Sequence, residues 1–280
     1  MKRAFTLAEV LITLAIIGVV AAMTIPTLVQ DYQKKVFETA FKTNRAKLAQ
    51  VVKLMMAQEG ADSLLMTRFF VNCAGQDMSC ELSNPDLRNY MKATKYTKNI
   101  EYTTLGGLSV SEVGFSTGDC SDDGANCYQT VDGTIISIYT ARTKPFSVGG
   151  EPFLRVAIDT NGEKGPNQLG RDWFAFKVNN SGTVFGQGEL GMPTSDFDHA
   201  LEGAHWSVTC NSNFSMSTKD FYILQGGTEE EFESEWNAMT EEERVEADAY
   251  VQQQIAESKP MLEMGYGCAG RLIEKGKMDY

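Results

Sequence analysis

"KRAFTLAEVLITLAIIGVVAAMTIPTLVQ", residues 2–30, decides how this chain is built. Two bases, Lys2 and Arg3, precede a run from Phe5 to Val29 of 25 residues whose single charge is Glu9. About 20 consecutive apolar residues span a bilayer as a helix. The bases in front predict an N-terminus held in the cytoplasm and a remainder that is exported. Glu9 is the anomaly. A carboxylate in a membrane segment costs up to about 2.5–3.5 kcal/mol at the helix centre, less near its end, and normally has a partner.

Three readings of this segment compete. A secretory signal peptide fits Val20 and Ala22 as a small-x-small site, with cleavage after Ala22 and a mature chain starting at Met23. A plain membrane anchor also fits. Neither has a use for Glu9. The third reading rests on a resemblance. "AFTLAEVLITLAIIGVVAAMTIPTL" resembles the N-terminus of type IV pilins and of type II secretion pseudopilins. The features shared are a short basic leader, a small residue, Phe-Thr-Leu-x-Glu, and an apolar helix. The resemblance implies cleavage by a prepilin peptidase between Ala4 and Phe5, N-methylation of Phe5, and pairing of Glu9 with the N-terminal amine of a neighbouring subunit. It also implies that Gly18 and Pro26 loosen the helix in a filament; Gly weakens a helix and Pro removes a backbone donor. The family usually has Gly before the cut, where this chain has Ala4. The implied partners are other pilins, the peptidase and an inner-membrane assembly platform with its ATPase. The implied location is single-pass in the inner membrane, with the C-terminus out, then a periplasmic or surface filament.

Beyond Pro26 the pattern turns amphipathic. Phe37, Phe41, Leu48, Val52 and Met55 recur at helical spacing, and no Gly or Pro intervenes before Gly60. One helix from Phe5 to Glu59 is therefore expected, roughly 80 Å long. It is too long to bury in one head domain.

The middle of the chain reads as antiparallel sheet. Asp132-Gly133 turns one hairpin. "PFLRVAID" (152–159), "DWFAFKVN" (172–179) and, after "NNSG", "TVFGQG" supply further strands. Alternation puts Phe174, Phe176 and Val178 toward the core. The expected fold is α+β and pilin-like, with a meander of four or five strands packed on the amphipathic half of the helix. The divisions expected are a leader at 1–4, a membrane or filament-core helix at 5–29, and its amphipathic continuation at 30–59. A β-rich head at 60–225, an acidic helical insertion at 226–258 and a closing segment at 259–280 follow.

The chain has 280 residues and a net charge of −12, against the basic footprint of general nucleic-acid binding. Residues 226–258 hold eleven acids and one base, Arg244, a local sum of −10. Thr228 with Glu231, and Thr240 with Glu243, have capping-box spacing. Phe232, Trp236 and Met239 form a stripe on the first short helix, and Val251 and Ile255 on the second. The plain reading is a solvated helical hairpin docked on the head. The sharper one is a docking surface for a basic partner or a neighbouring subunit.

Six cysteines in an exported chain read as disulfides, with 15 possible pairings. Cys73 with Cys80 and Cys120 with Cys127 are close pairs, leaving Cys210 with Cys268. Zinc knuckles favour two to four intervening residues, and these pairs have six.

"DTNGEKGPNQLGRD" (159–172) is the candidate metal loop, with calcium as the candidate ion. Asp159, Asn161, Glu163, Asn167 and Asp172 supply hard oxygens. The Glu expected twelfth in an EF-hand loop is replaced by Gly170. Some major pseudopilins hold calcium in the head, which the resemblance extends to this loop. The alternative is a hairpin loop built for turn geometry alone. His199 and His205 are either a metal pair or general base, or ordinary surface groups. No nucleophile elbow, zinc-protease or phosphate-loop motif accompanies them. A non-enzymatic filament subunit is the expectation; the alternative is a secreted enzyme or binding protein with a calcium-stabilised loop.

Overall fold

The computed structural model describes residues 7–68, 70–74, 79–82, 87–112, 120, 125–139, 153–189, 210, 217–219, 222, 228–262 and 265–280. Helix α1 runs Leu7–Glu59, 53 residues without a break. Pro26 lies inside it. Its second half buries Phe41, Asn44, Leu48, Val52 and Met55, with Phe37 packed at the edge. Those positions share one helical face, and that face meets the sheet.

The sheet is a six-stranded antiparallel meander in sequence order. Its strands are β3 (Ala93–Lys95), β4 (Ala125–Thr130), β5 (Ile135–Tyr139), β6 (Phe153–Asp159), β7 (Trp173–Asn179) and β8 (Val184–Gly186). β1 (Phe70–Ala74) and β2 (Ser79–Leu82) form a separate two-stranded ribbon. The β4–β5 turn is at Asp132-Gly133, where Gly133 has a φ of +88° that few other residues accept. Sequence reading counted four or five strands. It missed β3, a three-residue edge strand too short to show alternation.

The front of the sheet carries Tyr128, Ile136, Ile138, Leu154, Val156, Ile158, Phe174, Phe176 and Val178, all in one core with α1. Phe41 makes an edge contact to Phe174 (ring centroids 4.7 Å apart) and stacks on Phe176 (5.5 Å). The back is not open to water. Trp173, Ala175 and Ala157 pack with Tyr102, Val110, Leu169 and Tyr266 in a second core. Even Lys177 is 1% exposed, its ammonium 4.5 Å from the centre of the Phe153 ring. β7 is thus buried on both faces, so its alternation marks two cores rather than an inside and an outside.

Helix α2 spans Glu229–Ala238 and α3 spans Glu241–Leu262. Both capping boxes form. Thr228 and Glu231 bond reciprocally, as do Thr240 and Glu243. Phe232 is buried, stacked on Trp236 and tilted against Tyr222. Val251 is half-buried, and the Ile255 side chain lies outside the described residues.

Helix α4 (Cys268–Lys275) crosses β8 at very close range. A Cβ on Gly270 would stand 2.3 Å from the Glu189 backbone nitrogen, and one on Gly186 2.7 Å from the Ala269 carbonyl carbon. Beyond α4 the chain straps onto α1. The Met278 N–H donates to Glu38 Oε1 (2.6 Å), and Lys42 donates to the Gly276 carbonyl (2.9 Å). The Tyr280 hydroxyl donates to the Gly170 carbonyl (2.7 Å).

Candidate functional site: the exposed half of the N-terminal helix

Between Leu7 and Val29 the helix displays an apolar surface on every side. Leu7, Ile12, Leu14, Ile17, Met23 and Leu28 are each more than half exposed. The most apolar stretch has a mean hydropathy of 2.3 and buries nothing within the chain. A helix uniformly apolar and uniformly exposed needs lipid or other helices around it. The 25 residues from Phe5 to Val29 would extend about 38 Å, enough for a hydrocarbon layer of about 30 Å.

Its few polar groups are disposed for that environment. Thr13 donates to the Val10 carbonyl, Thr24 to Val20 and Thr27 to Thr24, each at 2.9 Å. Hydroxyls returned to their own helix expose no unmet donor. Thr24 and Thr27 flank Pro26, where the helix lacks one amide donor. Glu9 is the acid of the first turn, where the helix dipole favours negative charge. A Cβ on Gly18 would meet nothing within 4 Å, so no packing inside this chain requires a glycine there. Ala4 and Phe5 lie outside the described residues.

Residues 1–25 match the prokaryotic N-terminal methylation motif. That motif is the signature of type IV pilins and pseudopilins. It points to a structural subunit rather than an enzyme. It implies a filament of pilin subunits and processing by a prepilin peptidase. With the apolar helix, it fits a membrane-anchored precursor. No match was found among curated proteins or among solved structures.

The methylation motif says nothing of the head, where the loop 159–172 was the metal candidate. Asp159 and Asp172 are both buried. Asp159 Oδ1 accepts from the Asn161 and Gly162 amides (3.1 and 2.8 Å), and its Oδ2 accepts from the Tyr102 hydroxyl (2.9 Å). Asp172 accepts from the Gln168 and Asn167 amides (2.7 and 2.8 Å). Asn161 donates to the Gly165 carbonyl (3.1 Å). With its amide nitrogen turned inward, Asn167 donates to the Gly162 and Lys164 carbonyls (3.2 Å each). Glu163 points elsewhere, to Lys98 (2.8 Å) and the Tyr96 hydroxyl (3.2 Å). Among the described residues, no group of three or more His, Cys, Asp or Glu side chains is arranged to hold a metal. Asp159, Asp172 and Asn161 come together at the base of the loop, where Asn161 Oδ1 is buried without a hydrogen-bond partner among the described residues, while Glu163 is turned away from them.

Burial, reinforced by the charge of Asp172, pushes Asp159 up to about 7. Burial also raises Asp172, against the backbone amides that favour its charge. Tyr96 is pushed up to about 12, first by burial and then by its bond to Glu163.

Cys120 is bonded to Cys127, and Cys210 to Cys268. Cys73 lies in β1 and Cys80 in β2, but their side chains are outside the described residues, as are His199 and His205. Sequence reading did not find Tyr102, whose hydroxyl ties the loop to the back of the sheet. Its only signal was an aromatic residue in a segment, 96–110, with no regular period.

Proposed function

We propose that this chain is a structural subunit of a type IV pilus-like or type II secretion pseudopilus filament. Prepilin peptidase cuts between Ala4 and Phe5, and the new amine of Phe5 is methylated. Glu9 then serves as counter-charge to the amine of a neighbouring subunit. The single observation that carries this reading is a helix split into two halves. One half carries the methylation motif and buries nothing within its own chain. The other is fixed into the head by Phe41, Leu48, Val52 and Met55.

The apolar half rests in the inner membrane, N-terminus in, until assembly transfers its burial from lipid to neighbouring helices. Gly18 and Pro26 give the helix the slack by which it loosens in the filament. The assembly platform and its ATPase are the partners that draw the subunit out of the membrane. The divisions at 4/5, 29/30, 59/60, 225/226 and 258/259 separate leader, core helix, packed helix, head, acidic insertion and closing segment. No cofactor is required: calcium added to the chelator-treated chain should leave its melting temperature unchanged.

Mass spectrometry of the mature N-terminus tests the proposal. A chain beginning at N-methyl-Phe5 is expected. One beginning at Met23 would sink the filament reading in favour of a secreted protein cut by signal peptidase. Glu9→Ala should insert in the membrane as well as the wild type, since it removes a charge from lipid, and should be lost from sheared filaments. Normal incorporation of that variant would remove Glu9 from the mechanism.

A further inference from the structure

The head has a groove whose chemistry complements the acidic insertion. One wall is an α1 stripe, Lys42, Ala46, Ala49 and Lys53, at helical steps of four, three and four. Val184 and Ile273 line the opposite side, and the volume is about 410 Å³. Two alanines between two lysines let a helix backbone approach closely, with cations at either end. Lys42 bonds to the Gly276 carbonyl, whereas Lys53 is exposed and makes no hydrogen bond or ion pair among the described residues. Over residues 30–59 the helix has six bases against three acids, a net charge of +3.

Helix α3 presents the counterpart. Glu242, Glu246 and Tyr250 follow at steps of four on one exposed face. Tyr250 is 63% exposed. A large exposed ring bordered by acids suits an interface better than water. Among the described residues, none of α2 or α3 lines the groove of its own chain. The stripe from Glu242 to Tyr250 is about 12 Å long, and that from Lys42 to Lys53 about 16 Å.

We infer that α3 of one subunit docks in the α1–α4 groove of a second copy, with Tyr250 on the alanine floor and Glu246 and Glu242 toward the Lys53 end. This inference rests on the filament reading, which brings copies together. The local charge of −10 on the insertion and +3 on the helix favours contact between these unlike surfaces of two subunits and opposes like-to-like contact.

The test uses the full-length chain in assembled filaments, with Tyr250→p-benzoylphenylalanine as a photo-crosslinker. The expected product is a dimer of this chain, joined from position 250 to a peptide within 42–53 or 272–276. Lys53→Glu should lower its yield about three- to fivefold, as expected for a lost exposed ion pair that becomes a repulsion. Adding Glu246→Lys should restore the yield. Crosslinks to other proteins or other segments, or yields indifferent to both substitutions, would overturn the inference while filaments and methylated Phe5 leave the function standing. A mature chain starting at Met23 would overturn both.

Discussion

Asp159 acts as a brace between two parts of the chain. Its carboxylate receives two loop amides and a tyrosine hydroxyl, so it joins the tip of the β6–β7 connection to the 96–110 layer. Because burial and Asp172 raise its folded pKa to about 7, the folded chain holds this proton more tightly than the unfolded chain does. Its contribution to stability is fully present below the ordinary carboxylate range and is lost as pH rises through about 7. Asp172 acts in the same direction. Asp159→Asn mimics the protonated form. In a melting series with chelator present, the variant should be the more stable at pH 8, by about 2–4 °C, with a flatter profile between pH 4 and 7. A variant less stable than wild type at pH 8 would mean that the charge itself holds the loop. Residue types and spacing made the loop visible in the sequence. The direction in which each oxygen points was not visible, because Tyr102 and Lys98 arrive from another part of the chain.

At the scale of elements, α1 was legible almost to the residue. The apolar run and the amphipathic stripe are local signals, and Gly60 ends the helix where Glu59 was expected to be last. The polar member of its buried stripe, Asn44, was not legible. It is held by Thr134, whose hydroxyl donates to it (3.4 Å), and no periodicity announces such a pair. Phe41→Ala should cost about 3–5 kcal/mol, because it removes a ring packed on two others. Denaturant unfolding would show it; a loss under 1 kcal/mol would mean that α1 is not fixed through this contact. The crossing of β8 and α4 was also hidden, since nothing local marks the glycines at 186 and 270 as contact points until the elements are superposed. Gly270→Ala should destabilise by about 1–3 kcal/mol through overpacking. The added methyl meets backbone at 2.3 Å, which cannot swing aside as a side chain would.

For the molecule as a whole, the sequence exposed one core, and the described residues place further buried clusters beside it. The largest of these lies behind the sheet, assembled from the irregular 96–110 segment, β6, β7 and Tyr266. Its residues have no shared period, so only the folded chain joins them. The Cys210–Cys268 bond closes 58 residues around the acidic helices. Replacing both cysteines by serine should lower stability by about 4 kcal/mol on chain-entropy grounds. Loss of a cooperative melt for α4 with retention of the β3–β8 sheet, followed by hydrogen exchange, is the expected pattern; uniform protection would contradict it.

The strap from Met278 to Glu38 has a consequence in time. The two residues are 240 positions apart. At roughly 5–20 residues per second, a ribosome needs about 12–48 s to make the second after the first. For that interval α1 has been synthesised without its strap, and for the first part of it Phe41 also lacks Phe174 and Phe176. A newborn chain in this state is sticky, and many copies free in solution would associate through Phe37 and Phe41. Tethering each one at its apolar end, separate from its siblings, keeps the exposed faces apart until the tail arrives. On the filament reading, the segment that gathers subunits would first act as their quarantine.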